Sequence, residues 1–219
     1  MKASIVSLAK IEKVGRWRVE VFLDEKKRFV SKWNTRPLDT ICDEVSEATD
    51  PLSVQSETFT YIGLENVESV TGDAVGDIQK KRGEIRSRSK TFKRGDVLYG
   101  RLRPNLRKVF AATETEGGLC STEFVVLRPK KGVISSTVLR AILAASSVSS
   151  QLMSLQIGAA LPRVASRDLL AVKVPVPADD VQRDLEAVLE NLTDKRRSAK
   201  ETLANAVSEF ESAVTRALI

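Results

Sequence analysis

Short apolar runs bounded by turn signals fill the middle of the chain. Between residues 59 and 129 these runs are rich in aromatic and β-branched residues, which favour strands. Turn signals stand at Gly72-Asp73 and Gly95-Asp96, and we interpret Gly117-Gly118 as a separator between two strands. Strands at such short spacing predict a bent, mostly antiparallel sheet. The most regular runs are 97–102, 109–112 and 123–127.

Apolar residues at helical spacing flank this strand region on both sides. In residues 35–46, apolar residues at helical spacing follow helix-start signals, and this pattern predicts a short helix. Residues 135–155 show it again and predict one helix that ends at Gly158. A further strand is predicted at 171–174, and Pro177 then provides the start signal of a last helix.

The last segment of the chain, residues 178–219, contains neither glycine nor proline and predicts one long helix. Its apolar positions alternate in steps of four and three, with a stutter of eleven residues between Val188 and Ala199. A helix of this length would span about 63 Å, so we expect a partner helix; the alternative is packing on its own domain. The stripe residues expected to meet the partner are Val181, Leu185, Val188, Leu192, Leu203, Ala206 and Phe210.

These elements predict an α+β fold in which a sheet domain is followed by a long C-terminal coiled-coil helix. The predicted segments are an N-terminal extension at 1–35, a folded domain at 36–177 and the helix at 178–219. Within the extension, residues 19–23 alternate like a short strand, and residues 24–33 fit one or two helical turns.

Composition removes several classes of function. The chain has no histidine, which excludes Ser-His-Asp and Cys-His catalysis and most zinc sites. Its two cysteines, Cys42 and Cys120, are too few for a disulfide framework and are expected to be reduced thiols. The sequence contains no apolar run of membrane-spanning length and no signal peptide pattern, so we expect a cytoplasmic protein without a membrane partner.

Positive charge is concentrated in residues 80–108. This segment holds twelve lysines and arginines against Glu84 and Asp96, a local charge of +10, whereas the whole chain carries +6. Apolar residues are interleaved with the cations, so the charges lie on folded structure. The concentration predicts binding of a polyanion, most commonly a nucleic acid, and the alternative is a solvated basic loop.

The cations are sorted by their surroundings. Strand alternation predicts Arg101 and Arg103 on one face, and arginine suits bidentate contact with guanine. The more polar segment 80–90 predicts phosphate contacts. Arg163 follows a proline in a stiff loop and is either a DNA contact or part of an internal salt bridge. The predicted DNA-binding residues are Lys80, Lys81, Arg82, Arg86, Arg88, Lys90, Arg101, Arg103, Arg107, Lys108 and Arg163.

The motifs of common enzymes are missing. Residues 95–100 have the glycine spacing of a P-loop, but Arg101-Leu102 stand where Lys and Ser/Thr are required. The sequence contains no dinucleotide-binding fingerprint, amino-methyltransferase tetrapeptide or nuclease carboxylate cluster. The nearest paired carboxylates, Asp96 and Glu123, are expected to cap turns or to pair with arginines. We predict no catalytic residue, metal or cofactor, although a Ser/Lys dyad stays open.

Five motifs in order resemble the target recognition domain of the specificity subunit of type I restriction–modification systems. The resemblance covers about residues 36–219 and ends in a Pro-x-Pro helix start. The motifs are YIGLEN at 61–66, FKRGDVLYGRLRP at 92–104, CSTEFVVLRP at 120–129, Gly158 with LPRV at 161–164, and VKVPVP at 172–177.

The resemblance implies a non-catalytic subunit that reads DNA and serves in phage defence. In this family the subunit recruits an adenine-N6 methyltransferase subunit that uses S-adenosylmethionine, and a translocating restriction subunit that uses ATP. Family members usually carry two recognition domains and two long helices, whereas this chain has one of each. The resemblance therefore implies a half-size subunit or a fragment. A homodimer with antiparallel helices would recognise a bipartite palindrome, and a different half as partner would give an asymmetric site.

Two other functions stay open at this point. One is a stand-alone nuclease or methyltransferase, which the missing motifs argue against. The other is a coiled-coil scaffold whose basic domain binds RNA or an acidic protein.

Overall fold

The computed structural model describes residues 33–218. The elements predicted at 19–23 and 24–33 therefore lie outside the described residues, apart from Trp33. The described residues divide into two compact units, 33–177 and 178–218. Of the helices in the described part, none is both long enough and apolar enough to cross a membrane.

Within residues 33–177 the chain forms two large sheets and one small one, and all but one of their strand pairs are antiparallel. The four-stranded sheet has the order β2-β10-β7-β8, the five-stranded sheet β3-β6-β9-β4-β5, and β1 pairs with β11. The exception is the parallel pair β4–β9. The strands are β1 (Thr35–Pro37), β2 (Cys42–Val45), β3 (Ala48–Thr49), β4 (Thr58–Ile62), β5 (Gln79–Lys81), β6 (Ser89–Lys93), β7 (Val97–Gly100), β8 (Val109–Ala111), β9 (Gly117–Ser121), β10 (Phe124–Pro129) and β11 (Lys173–Pro175).

Among the described residues, three short helices lie between β10 and β11 in sequence, and a long one forms the second unit. They are α1 (Ser136–Ala144), α2 (Ser146–Met153), α3 (Ser166–Leu170) and α4 (Asp179–Leu218). The single helix predicted over 135–155 is interrupted at Ala145, whose backbone is extended with φ −65° and ψ 140°. The guanidinium of Arg107 donates to the carbonyl of Ala144 and so caps the C-terminal end of α1. The long helix predicted at 178–219 is confirmed by α4.

The four-stranded sheet is covered on both faces. Val125 and Leu127 of β10 pack in the cluster that includes α1, α2 and α3. Phe124 and Val126, which alternate with them, pack in a second cluster shared with the five-stranded sheet. Double coverage explains why β7 and β10 read as continuous apolar runs. The predicted α+β class with a mostly antiparallel arrangement is confirmed.

The helix predicted over residues 35–46 is wrong. The segment forms strand β1, one 3₁₀ turn and strand β2. The turn brings Leu38, Ile41 and Cys42 into the helix-side cluster, whereas Val45 reaches the opposite cluster. Antiparallel pairing of β2 with β10 fixes the extended backbone, so a tertiary contact overrides the local helical spacing.

Gly117 and Gly118 do not separate two strands, as their dipeptide suggested, because they begin β9. This strand lies between β6 and β4. A side chain at Gly118 would place its Cβ 2.4 Å from the carbonyl oxygen of Thr60. At Gly117, with φ +148°, a Cβ would lie 2.6 Å from the carbonyl oxygen of Phe92. Glycine is thus required because both neighbouring backbones approach closely.

A buried carboxylate links the β6–β7 turn to β10. Asp96 is 0% exposed and accepts a hydrogen bond from the backbone N–H of Lys93 at 2.8 Å. Arg128 donates to its two oxygens from Nε and Nη2, each at 2.8 Å. The expectation that this carboxylate would cap a turn or pair with an arginine is confirmed, and it does both.

We expect Asp96→Ala to lower the free energy of unfolding by about 3 kcal/mol, because it leaves the backbone N–H of Lys93 and the guanidinium of Arg128 without their acceptor. Urea denaturation measures this change. Glu116→Ala is the matched control, since its pair with Arg94 is highly exposed at both side chains, and it should leave stability unchanged. Equal midpoints for both variants would contradict the structural role of Asp96.

Both cysteines are free and buried. Burial raises the pKa of Cys42 to about 12 and that of Cys120 to about 12. Each therefore stays a protonated thiol at neutral pH, with little nucleophilic reactivity.

Candidate nucleic-acid interface

The arginine segment, residues 82–88, crosses the outer face of the five-stranded sheet. It begins where β5 ends, and the backbone N–H of Arg82 donates to the carbonyl of Glu57 just before β4. It ends at Ser89, which pairs with Ser121 at the far end of β9. Because β4 and β9 are parallel, the segment runs from the N-terminal end of these two strands to their C-terminal end.

A single apolar side chain fixes the arginine segment to the sheet. Half-buried Ile85 packs against Phe59, Tyr61 and Leu119, which form a small cluster on this outer face. The flanking Arg82, Arg86 and Arg88 are exposed, as is Lys81 before them. Among residues 33–218 we find no hydrogen-bond or ion-pair partner for these four side chains. The segment thus presents exposed cations on an ordered path.

Other predicted DNA contacts already have partners within the fold. Lys108 donates to the carbonyl of Leu64 at 2.7 Å, and Arg107 donates to that of Ala144 at 3.3 Å. Lys80 lies 3.7 Å from Asp77, and Lys90 lies 3.9 Å from Glu44. Lys90 connects the two sheets, Lys108 and Arg107 connect segments distant in sequence, and Lys80 makes a local pair. DNA contact by these four side chains stays a prediction.

A second basic cluster surrounds Glu123, which stands in the turn between β9 and β10. Arg163 donates from Nε to both carboxylate oxygens at 3.0 Å and from Nη2 to Oε1 at 2.7 Å. Nε of Arg101 lies 4.0 Å from Oε2 of Glu123. We call these three residues and Arg103 the arginine–glutamate cluster; three cations against one anion leave it a charge of +2. The internal salt bridge considered for Arg163 is present.

Backbone hydrogen bonds make this cluster rigid. Residues 157–163 form a small hairpin, in which Ile157 and Arg163 exchange two bonds of 2.8 Å. The N–H of Arg103 donates to the carbonyl of Pro162 at 2.7 Å, and the N–H of Arg101 donates to that of Glu123 at 2.9 Å. Three chain segments distant in sequence are thereby joined at one end of the sheets.

Glu123 and Arg163 of this cluster both stay charged at neutral pH. The hydrogen bonds from Arg163 hold the pKa of Glu123 below its ordinary value, against the opposing effect of burial. The same hydrogen bonds raise the pKa of Arg163. A carboxylate with a lowered pKa loses its stabilising role only on acidification through that lowered value, so the pair stays ionised across the physiological range.

The expected alternation of Arg101 and Arg103 is wrong, because β7 ends at Gly100. Arg103 has a left-handed backbone with φ 49°, and a 3₁₀ turn at Pro104–Leu106 follows it. Arg101 is placed by its contact with Glu123, and Arg103 by its backbone bond to Pro162 of the hairpin, instead of by strand periodicity.

Sequence reasoning missed the apolar tip of the hairpin. Ile157 and Leu161 are both exposed beside the basic cluster, and Gly158 between them has φ +100°. The motif containing Leu161 and Arg163 was noted, but nothing local indicates that both apolar side chains point away from the core.

The long helix α4 presents an apolar stripe along its whole length. Leu203 and Phe210 are 66% and 69% exposed. Eleven residues separate Leu192 from Leu203, and eleven separate Leu203 from Val214. An eleven-residue repeat has 3.67 residues per turn, which favours a straight or slightly right-handed helix pair. The exposed apolar residues are Leu185, Val188, Leu192, Leu203, Val207, Phe210, Val214 and Leu218.

Residues 33–177 thus form a domain with two basic surfaces. The long helix α4, with its exposed apolar stripe, follows this domain in sequence. No protein-family model matches the sequence. Over 182 residues, or 83% of this chain, it is 23% identical to the type I restriction enzyme EcoDI specificity subunit of Escherichia coli.

Two solved structures share the fold. The HsdS subunit from Thermoanaerobacter tengcongensis matches 80% of this chain with a TM-score of 0.64 and 26% identity. A chain from a study of complex assembly and conformational transition of the type I R-M system matches 85% with a TM-score of 0.64 and 25% identity. The chain thus resembles type I specificity subunits in sequence and fold, as its motifs indicated.

The chain spans less than half of each of these relatives. It covers 39% of the Escherichia coli subunit and 45% and 48% of the two structural matches.

Proposed function

We propose that this protein is a non-catalytic DNA sequence-recognition subunit of a type I restriction–modification system. The observation that carries the proposal is the position of the exposed cations of residues 81–88 and of the arginine–glutamate cluster on a fold that resembles specificity subunits. Duplex DNA is the polyanion that a subunit of this class would recognise.

The two basic features have different roles in this proposal. Lys81, Arg82, Arg86 and Arg88 are exposed and unpaired among the described residues, which suits contact with phosphates and supplies affinity without sequence information. Arg101, Arg103 and Arg163 lie on a rigid framework, which suits contact with base edges.

The partners follow from the same proposal. The subunit directs an adenine-N6 methyltransferase subunit, which brings S-adenosylmethionine, and a restriction subunit, which brings ATP, so this chain itself needs no cofactor. A second copy would pair along the apolar stripe of α4 and supply a second recognition domain. Two domains at a fixed separation would read a bipartite, palindromic site.

Selection from a pool of random-sequence duplexes tests the proposal. Repeated capture by the purified chain should enrich a recurrent sequence of a few base pairs, whereas recovery of an unbiased pool would contradict it. Structured RNA that displaces duplex DNA at equal concentration would instead favour the basic scaffold, because the cations alone do not distinguish the two nucleic acids.

A further inference from the structure

A negative charge lies at the centre of the proposed base-reading surface. Exposed DNA-binding surfaces gain nothing electrostatically from a carboxylate, since it repels phosphate. Glu123 nevertheless stands between Arg101 and Arg163 and accepts three hydrogen bonds from Arg163. This arrangement calls for a reason other than charge attraction for DNA.

The geometry around Arg163 is that of a fixed guanidinium. Its Nε and Nη2 both donate to the carboxylate, and its Nη1 lies 3.4 Å from the carbonyl oxygen of Leu161. Two nitrogens are thus held by Glu123, and the hairpin fixes the backbone of Arg163 through its two bonds to Ile157. An arginine restrained at both ends loses little conformational entropy when it binds a base.

Arg101 is held differently. Its Nε is buried and has no hydrogen-bond partner among residues 33–218, although it lies 4.0 Å from Oε2 of Glu123. The side chain as a whole is 34% exposed, so its accessible surface lies away from Nε. The carboxylate attracts this arginine without a direct hydrogen bond, which fixes its position and leaves its accessible part for another acceptor.

We propose that Glu123 is a positioning residue, which orients Arg101 and Arg163 so that they discriminate between DNA sequences. The proposal rests on the proposed function of DNA recognition and assigns the specificity of that site to a residue that need not touch DNA. A bidentate arginine–guanine contact depends on orientation, whereas attraction to phosphate depends mainly on charge.

A charge role and a positioning role of Glu123 predict different changes in DNA affinity when its carboxylate is removed. If Glu123 only contributed charge, its loss would strengthen binding to every duplex equally. If it positions the arginines, its loss lowers affinity for the selected sequence relative to random sequence, and affinity for random duplex stays unchanged or rises. The ratio of the two affinities is therefore the decisive quantity.

The experiment compares Glu123→Ala, Glu123→Gln and the wild-type chain. Fluorescence anisotropy with the duplex that the wild type enriches, and with a random-sequence duplex, gives the ratio for each. We expect about a tenfold lower ratio for Glu123→Ala. Glu123→Gln should restore part of it, because the amide keeps one acceptor oxygen for Arg163.

Glu116→Ala is the matched control. Glu116 also pairs with an arginine, Arg94 at 2.7 Å, but precedes β9 whereas Glu123 follows it. The control removes the same charge at the opposite end of that strand and should leave the ratio unchanged.

Two results would overturn the proposal. In one, Glu123→Ala raises both affinities in parallel, as a pure charge effect requires. In the other, both affinities fall together with the urea midpoint, which a purely structural role requires. A wild-type chain that enriches no sequence would refute the proposed function itself, a failure that is seen before any Glu123 variant is measured.

Discussion

Replacing Lys81, Arg82, Arg86 and Arg88 together by alanine is expected to weaken binding to random-sequence duplex about a thousandfold. All four side chains are exposed, and none has a partner within residues 33–218. If each phosphate contact contributes about 1 kcal/mol, the loss is about 4 kcal/mol. Fluorescence anisotropy at fixed salt measures it, and the urea midpoint should not change.

A second quadruple variant serves as the control for total charge. Lys93, Arg94, Lys130 and Lys131 lie at the opposite end of the sheets from Glu123, near the start of β9 and the end of β10. Their replacement by alanine also removes four positive charges. An equal loss of affinity in the two variants would show that net charge, and not the position of Lys81 and the arginine segment, determines binding.

If two chains pair along α4 as proposed, lysine at both Leu203 and Phe210 is expected to convert the dimer into a monomer. These side chains are exposed in the single chain, so the substitutions cost little in folding. In a symmetric pair four apolar side chains would be lost, at about 2 kcal/mol each, and charges would be buried. Sedimentation equilibrium over a wide concentration range measures the change in association.

The control for this prediction lies on the other side of the same helix. Asn205 and Ser212 stand about 200° around the helix from Leu203 and Phe210, at 100° per residue. Lysine at these two positions should leave association intact. A wild-type chain that stays monomeric at high concentration would contradict self-pairing through α4.

The sequence was informative where structure is decided locally. The long helix needed only the absence of glycine and proline and a sustained period, and α4 has both. Strands β7 and β10 were predictable because they lie between two cores and are apolar at every buried position. The helix predicted at residues 35–46 was wrong because a turn followed by a strand buries the same spacing of apolar residues.

The site was predictable in composition but not in its division of roles. The cationic residues of the arginine segment could be read directly, and their exposure follows from its path over the sheet. Which cations are engaged depends on contacts across the fold: Lys108 bonds to Leu64, and Arg107 to Ala144. Glu123 likewise meets Arg163 forty residues away, so its central place could not be derived from spacing.

The most direct test of the account is the affinity of the purified chain for random-sequence duplex as salt rises. Four phosphate contacts predict that the logarithm of the association constant falls with the logarithm of salt concentration with a slope of about −4 or steeper. A slope near zero, or no binding in dilute buffer, would contradict the central claim that this basic surface binds DNA.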